Sequence, residues 1–187
     1  IAPERRPQVH LSVGRLMLAQ RRLAAHDEDL FDIVSHLNLG APLIESRAER
    51  LELARMNLDA GRKARLTSAF GSALAYFRAG IALLDGSPWR SHYELAYALW
   101  FEAAQCEYLG GHFAAAEQAM ATLLKHAVGA QDRARVFSLR MVQHENMARY
   151  ADALASAREG LALFDMTLPD DEAHKHAALE QEIEAIE

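Results

Sequence analysis

The chain has 187 residues with 20 Lys and Arg, 26 Asp and Glu, a net charge of −6 and 51% apolar residues, within reach of one large soluble domain or a short repeat array. Its single cysteine, Cys106, excludes an internal disulfide or a cysteine metal cluster and points to a reducing, cytoplasmic setting, and no apolar run approaches the ~20 residues a membrane span needs. Seven acids and one base fall between Asp170 and Glu187, which leaves 19 acids against 19 bases elsewhere; a balanced body gives no long-range pull on nucleic acid or anionic membranes.

Ala and Leu dominate the apolar content, and both are strong helix formers. Helices are predicted near 11–25, 28–38, 47–63, 67–85, 90–109, 113–127, 131–146, 150–164 and 171–185. The opening Ile1-Ala2-Pro3, without Met, suggests a piece of a longer or processed protein. Residues 1–40 read as a helical lead-in, closed by Asn38-Leu39-Gly40-Ala41-Pro42, since proline interrupts a helix. Asp85-Gly86-Ser87-Pro88, Gly110-Gly111, Val128-Gly129 and Met147-Ala148-Arg149 then mark turns about every 20 residues, the length of one helix and its connection. Between them apolar residues follow three-four spacing: Leu95, Leu99, Ala103 and Cys106, then Phe113, Ala116, Met120 and Leu123, then Tyr150, Ala153, Ala157 and Leu161. No segment alternates like a strand. The fold class is all-α. The acidic stretch 170–187 reads as a solvated terminal helix.

The second helix of each pair opens on a shared pattern. Phe70 with Ala73, Phe113 with Ala116, and Tyr150 with Ala153 each place an aromatic just after a turn and a small residue three positions on. Met120, Ala157, Phe77 and Gly80 continue it. An aromatic there packs against the preceding helix, and small residues let two backbones approach. The pattern resembles tetratricopeptide repeats, with units near 54–87, 97–130 and 134–167 inside a repeat region 41–169. Trp100 and Phe137 fall at the aromatic position of the first helix, and Ala60-Gly61 stands where the family has Leu-Gly. The starts Ala54, Tyr97 and Ala134 are 43 and 37 residues apart, longer than the family's 34, and its terminal proline is missing. The resemblance implies antiparallel helix pairs stacked as a right-handed superhelix.

Two further stretches, Leu30-Phe31-Asp32-Ile33-Val34-Ser35-His36-Leu37 and Arg47-Ala48-Glu49-Arg50-Leu51, are continued by His92-Tyr93-Glu94-Leu95 and Glu102-Ala103-Ala104-Gln105-Cys106-Glu107-Tyr108-Leu109. Together they resemble the helical middle region of very large bacterial signalling proteins, in which a kinase-like module and a STAND-type ATPase precede the repeats and a GAF domain and sensor histidine kinase follow. That resemblance implies a relay role and no chemistry in this segment.

Catalytic signatures are correspondingly absent from the sequence. Gly61-Arg62-Lys63 lacks the spacing of a phosphate loop. His144-Glu145 is similar to the start of a phosphoacceptor box but lacks the Arg and Pro that should follow. His174 and His176 diverge around a helix, and no HExxH occurs, so no metal and no cofactor are expected. Glu182 and Glu184 belong to a charged surface. Cys106 reads as a small core residue, Trp100 as repeat packing, and Trp89 as packing or a partner anchor.

In tetratricopeptide arrays the first helix of each pair lines a concave groove. Carried over, this nominates Arg55, Asp59, Arg62 and Arg65 on one helix and Phe101, Glu102, Gln105 and Tyr108 on the next. Arg135, Ser138 and Asn146 follow on the third. Such a surface suits a protein or peptide segment, acidic ones in particular, including other domains of the same chain. The expected function is a non-catalytic interaction or relay module of a signal-transduction ATPase or kinase. The alternative is a small-ligand sensor arm, marked by a pocket at Tyr108, Phe101 and Arg62. Exposed repeat ends would support a homodimer.

Overall fold

The computed structural model describes residues 5–24, 30–168 and 183. Among them the chain is all-α, with nine helices and no strand. The expected terminal helix 171–185, with His174, His176, Glu182 and Glu184, lies outside the described residues except for Ile183, which is helical and exposed. The chain divides into two compact units, Ile1–Leu123 and Leu124–Glu187.

The first unit contains α1 (Arg6–Ala24), α2 (Leu30–Gly40), α3 (Arg47–Leu66), α4 (Phe70–Ala82), the short α5 (Pro88–Ser91), α6 (Tyr93–Leu109) and most of α7 (Phe113–His126). α1 begins earlier than the expected residue 11, because Pro7 sits in its first turn, where no intrahelical N–H is needed. α1 and α2 approach closely through two glycines: a Cβ on Gly14 would meet Leu37 at 2.8 Å, and one on Gly40 would meet Leu11 at 2.6 Å. The residues of the lead-in thus share a core with the helices that follow, in which Leu11, Ile33, Val34 and Leu37 cluster with Leu53, Phe77 and Leu99. Outside that core Arg15 grips Glu49 through two bonds of 2.7 and 2.9 Å.

Ser46 caps α3 by accepting from the Glu49 amide at 3.4 Å. α3 packs on α4 through Gly61, where a Cβ would stand 2.3 Å from the Phe77 ring. α4 packs on α6 at Gly80, where a Cβ would meet Leu99 at 2.7 Å. The single helix expected over 90–109 is two, because His92 takes φ −144 and ψ 48 between α5 and α6.

The second unit holds the hairpin of α8 (Ala130–Asn146) and α9 (Tyr150–Ala162). Gly160 brings α9 within 3.3 Å, as a Cβ would measure it, of Phe137 on α8. An open apolar groove of about 300 Å³ runs between them, lined by Phe137, Met141, Leu161 and Phe164.

Three hairpins share one turn. Ser68 (φ 60), Gly111 (φ 80) and Ala148 (φ 56) are left-handed, each two residues before the aromatic that opens the next helix. In each, the following amide bonds a carbonyl five residues back: Ala69 to Ala64 at 3.0 Å, His112 to Glu107 at 2.8 Å, and Arg149 to His144 at 2.8 Å. This is the six-to-one bond of the Schellman motif. The aromatics behave differently after it. Phe70 packs on the core, Phe113 lies 6.2 Å from Tyr108, and Tyr150 is 68% exposed.

Candidate functional site

Arg62 and Arg65 are three residues apart on α3 and therefore share a face. Both reach one carboxylate on α6: Arg62 Nε donates to Glu102 Oε1 at 2.8 Å, and Arg65 Nε lies 2.9 Å from Oε2. Glu102 is 7% exposed, whereas the Arg62 and Arg65 side chains are 47% and 32% exposed. Withdrawing a carboxylate from water is costly unless it is paired. Arg62 gives it a hydrogen bond and Arg65 an ion pair without one, and two arginines on one carboxylate leave a net positive charge on a partly exposed surface. Asp59 and Arg55 stand exposed one and two turns before Arg62 on the same stripe of α3.

The remaining nominated residues are placed as follows. Phe101 is 8% exposed and stacks on Tyr97 with ring centroids 5.8 Å apart, so its area is packed inside and offers little to a partner. Gln105 and Tyr108 are half-buried on α6. Arg135, Ser138 and Asn146 are exposed on α8 in the other unit, where Asn146 Nδ2 donates to the Val142 carbonyl at 3.0 Å. The first unit therefore brings Arg62, Arg65 and Glu102 into one cluster.

Cys106, one turn beyond Glu102, is 1% exposed. Burial pushes its thiol up to about 11; nearby Arg65 opposes this, and Glu102 and Glu107 add to it. A thiol so raised is a poor nucleophile at neutral pH. His144 is 5% exposed, and its carbonyl closes the turn to α9. Among the described residues no group of three or more His, Cys, Asp or Glu could hold a metal ion. No helix there is long and apolar enough to cross a membrane.

A second clamped carboxylate escaped the sequence reading. Glu107, 5% exposed, accepts from Arg78 Nη2 of α4, with His112 Nδ1 at 3.1 Å from its other oxygen. Trp100, expected in the core, is half-buried. It lines a cleft of about 420 Å³ together with Arg78 and Glu107. The legible signal was Arg78 itself, the one charged residue in the sequence of α4.

No family model matches the sequence, and no solved structure matches it. Over 181 residues it is 24% identical to hybrid signal transduction histidine kinase G of Dictyostelium discoideum. That alignment takes in 84% of this chain but 5% of the relative, so the chain spans about a twentieth of the length of the curated protein it matches.

Proposed function

We propose that this chain is a non-catalytic, tetratricopeptide-like interaction or relay module of a signal-transduction protein. Its contact surface is the α3–α6 face, centred on Arg62, Arg65 and Glu102. The observation that carries the reading is the clamp itself. A nearly buried carboxylate fixes two guanidiniums that stay partly open to solvent, and their unused donors match a partner carboxylate. The partner is an acidic protein segment, on another protein or elsewhere in the same long chain. The likeness to a stretch of a histidine kinase supports a signalling context, and the shared left-handed turn supports repeated helix pairs.

The test compares the wild-type chain with an Arg55→Glu, Arg62→Gln variant, both checked for native helicity. Each is titrated with a fluorescein-labelled acidic peptide of alternating Glu and aromatic residues, and each is used to capture partners from lysate of the source cells. The reading expects the peptide, and at least one captured protein, to bind the wild type and to lose affinity tenfold or more with the variant. Equal binding to both moves the contact off this face.

A further inference from the structure

Trp100, Ala103 and Glu107 recur at three and four residues, so they share one face of α6, while Glu102 and Gln105 turn to the opposite one. On the first face lies the cleft of about 420 Å³ between α4, α6 and α7. That volume is in the range of small-molecule sites. It exists because Ala82, Ala103, Ala115 and Ala119 project only methyl groups where packed helices ordinarily interdigitate larger side chains.

The cleft is not a plain packing fault. One wall is the Trp100 indole, itself supported by Trp89 with ring centroids 6.4 Å apart. The Arg78 guanidinium also lines it, with a side chain 62% exposed. Glu107 fixes that guanidinium through Nη2 alone, so Nε and Nη1 keep their donors for another acceptor. Glu107 lines the cleft as well, but its oxygens are engaged or covered. One of its oxygens takes Arg78, and the other is shut off from solvent near His112. The donors offered to an occupant are therefore those of Arg78. Gln118 and Thr122 on α7 add polar groups to the lining.

We propose that this cleft binds a small aromatic carboxylate, its ring against Trp100 and Ile81 and its carboxylate on Arg78. A planar ring suits the indole face, and a guanidinium held by one bond suits a carboxylate. Glu107 acts as a positioning residue that keeps Arg78 at the cleft. The site is independent of the α3–α6 face, so either can fail without the other.

Trp89 and Trp100 are the only tryptophans in the sequence; Trp100 lines the cleft and Trp89 packs on Trp100, so intrinsic emission excited at 295 nm reports on it. The whole chain is titrated with phenylacetate and, in parallel, with uncharged phenylacetamide. The proposal expects a saturable change with phenylacetate, half complete on the order of 1 mM, and at least tenfold weaker binding of the amide. Arg78→Gln should weaken phenylacetate tenfold or more. Ala115→Phe, which fills the cleft from its rim, should abolish binding with native helicity retained. No saturation with phenylacetate overturns the proposal. So does equal affinity for the amide, or full affinity in Ala115→Phe; the amide comparison requires no variant to fold.

Discussion

Asn38 on α2 and Asn57 on α3 exchange two amide hydrogen bonds, 2.8 Å from Asn38 Nδ2 to Asn57 Oδ1 and 2.9 Å in return. Asn57 is fully buried, and its Nδ2 also donates to the Leu53 carbonyl at 2.9 Å. A buried amide left without partners costs its desolvation, so each asparagine depends on the other. The pair is a largely buried polar link between the first helix pair and the second, beside the exposed Arg15–Glu49 contact.

Asn57→Leu should therefore lower the unfolding free energy by about 2–3 kcal/mol, as it strands Asn38 and forces a branched side chain into a filled site. Asn38→Ala, at a half-buried position, should cost about 1–2 kcal/mol. The double variant should fall short of the sum by about 1 kcal/mol, the coupling of a pair in direct contact. Urea unfolding of the four proteins measures this, and strict additivity would contradict the pairing.

The shared turn gives a second expectation. Ser68 and Ala148 hold φ 60 and φ 56, whereas the equivalent position in the middle hairpin is Gly111. A side chain in the left-handed region costs roughly 1–2 kcal/mol that glycine avoids. Part of that gain is offset by the extra freedom glycine has when unfolded. Ser68→Gly and Ala148→Gly should each stabilise by about 0.5–1 kcal/mol, raising the melting temperature of their unit by ~2–4 °C, and Gly111→Ala should lower it. Thermal melts followed by circular dichroism decide the sign.

These positions show what was legible in the sequence. The helix-length spacing of turns placed the helices from α3 onward within a few residues, because Gly111, Pro88 and the aromatics after each turn act locally. The left-handed turns at Ser68, Gly111 and Ala148 repeat at the intervals of 43 and 37 residues read from the chain. What the sequence could not give was tertiary. Phe101 reads in the sequence as a partner-facing residue, yet it is buried and its ring is packed against Tyr97. Trp100 lines a cleft only because alanines on α4 and α7 come opposite it. Arg78 and Glu107 are 29 residues apart, and nothing local joins them. The early start of α1 was missed because Pro7 reads as a breaker unless its place in the first turn is known.

The Cys106 thiol makes a pH-dependent prediction. In the unfolded chain it ionises near its ordinary value of 9.0, and in the fold near about 11. Between those values the folded state holds a proton that the unfolded state has lost, so stability falls as pH rises. Below pH 9 the contribution is fully present, and above pH 11 it is gone. Cys106→Ala should remove this alkaline loss while leaving a small cavity penalty of about 1 kcal/mol. Iodoacetamide labelling should be negligible at pH 8 in the native protein and rapid in urea. Quick native labelling at pH 8 would contradict a buried, protonated thiol.

Two glycines in adjacent helices should answer the same substitution with opposite signs. At Gly61 an added Cβ would stand 2.3 Å from the Phe77 ring, and Phe77 is itself fully buried in the core. The ring cannot swing away without displacing its neighbours, so Gly61→Ala should destabilise by about 1–3 kcal/mol. At Gly71, near the start of α4, a Cβ would meet nothing within 4 Å. There alanine only improves helix propensity and restricts the unfolded chain, so Gly71→Ala should stabilise by about 0.5 kcal/mol. Pairing Gly61→Ala with Phe77→Leu should recover part of the loss, since the shorter side chain makes room for the methyl. Chemical denaturation of these variants tests whether α3 and α4 meet through Gly61. If Gly61→Ala proved neutral, the two helices could not be as close as Phe77 places them.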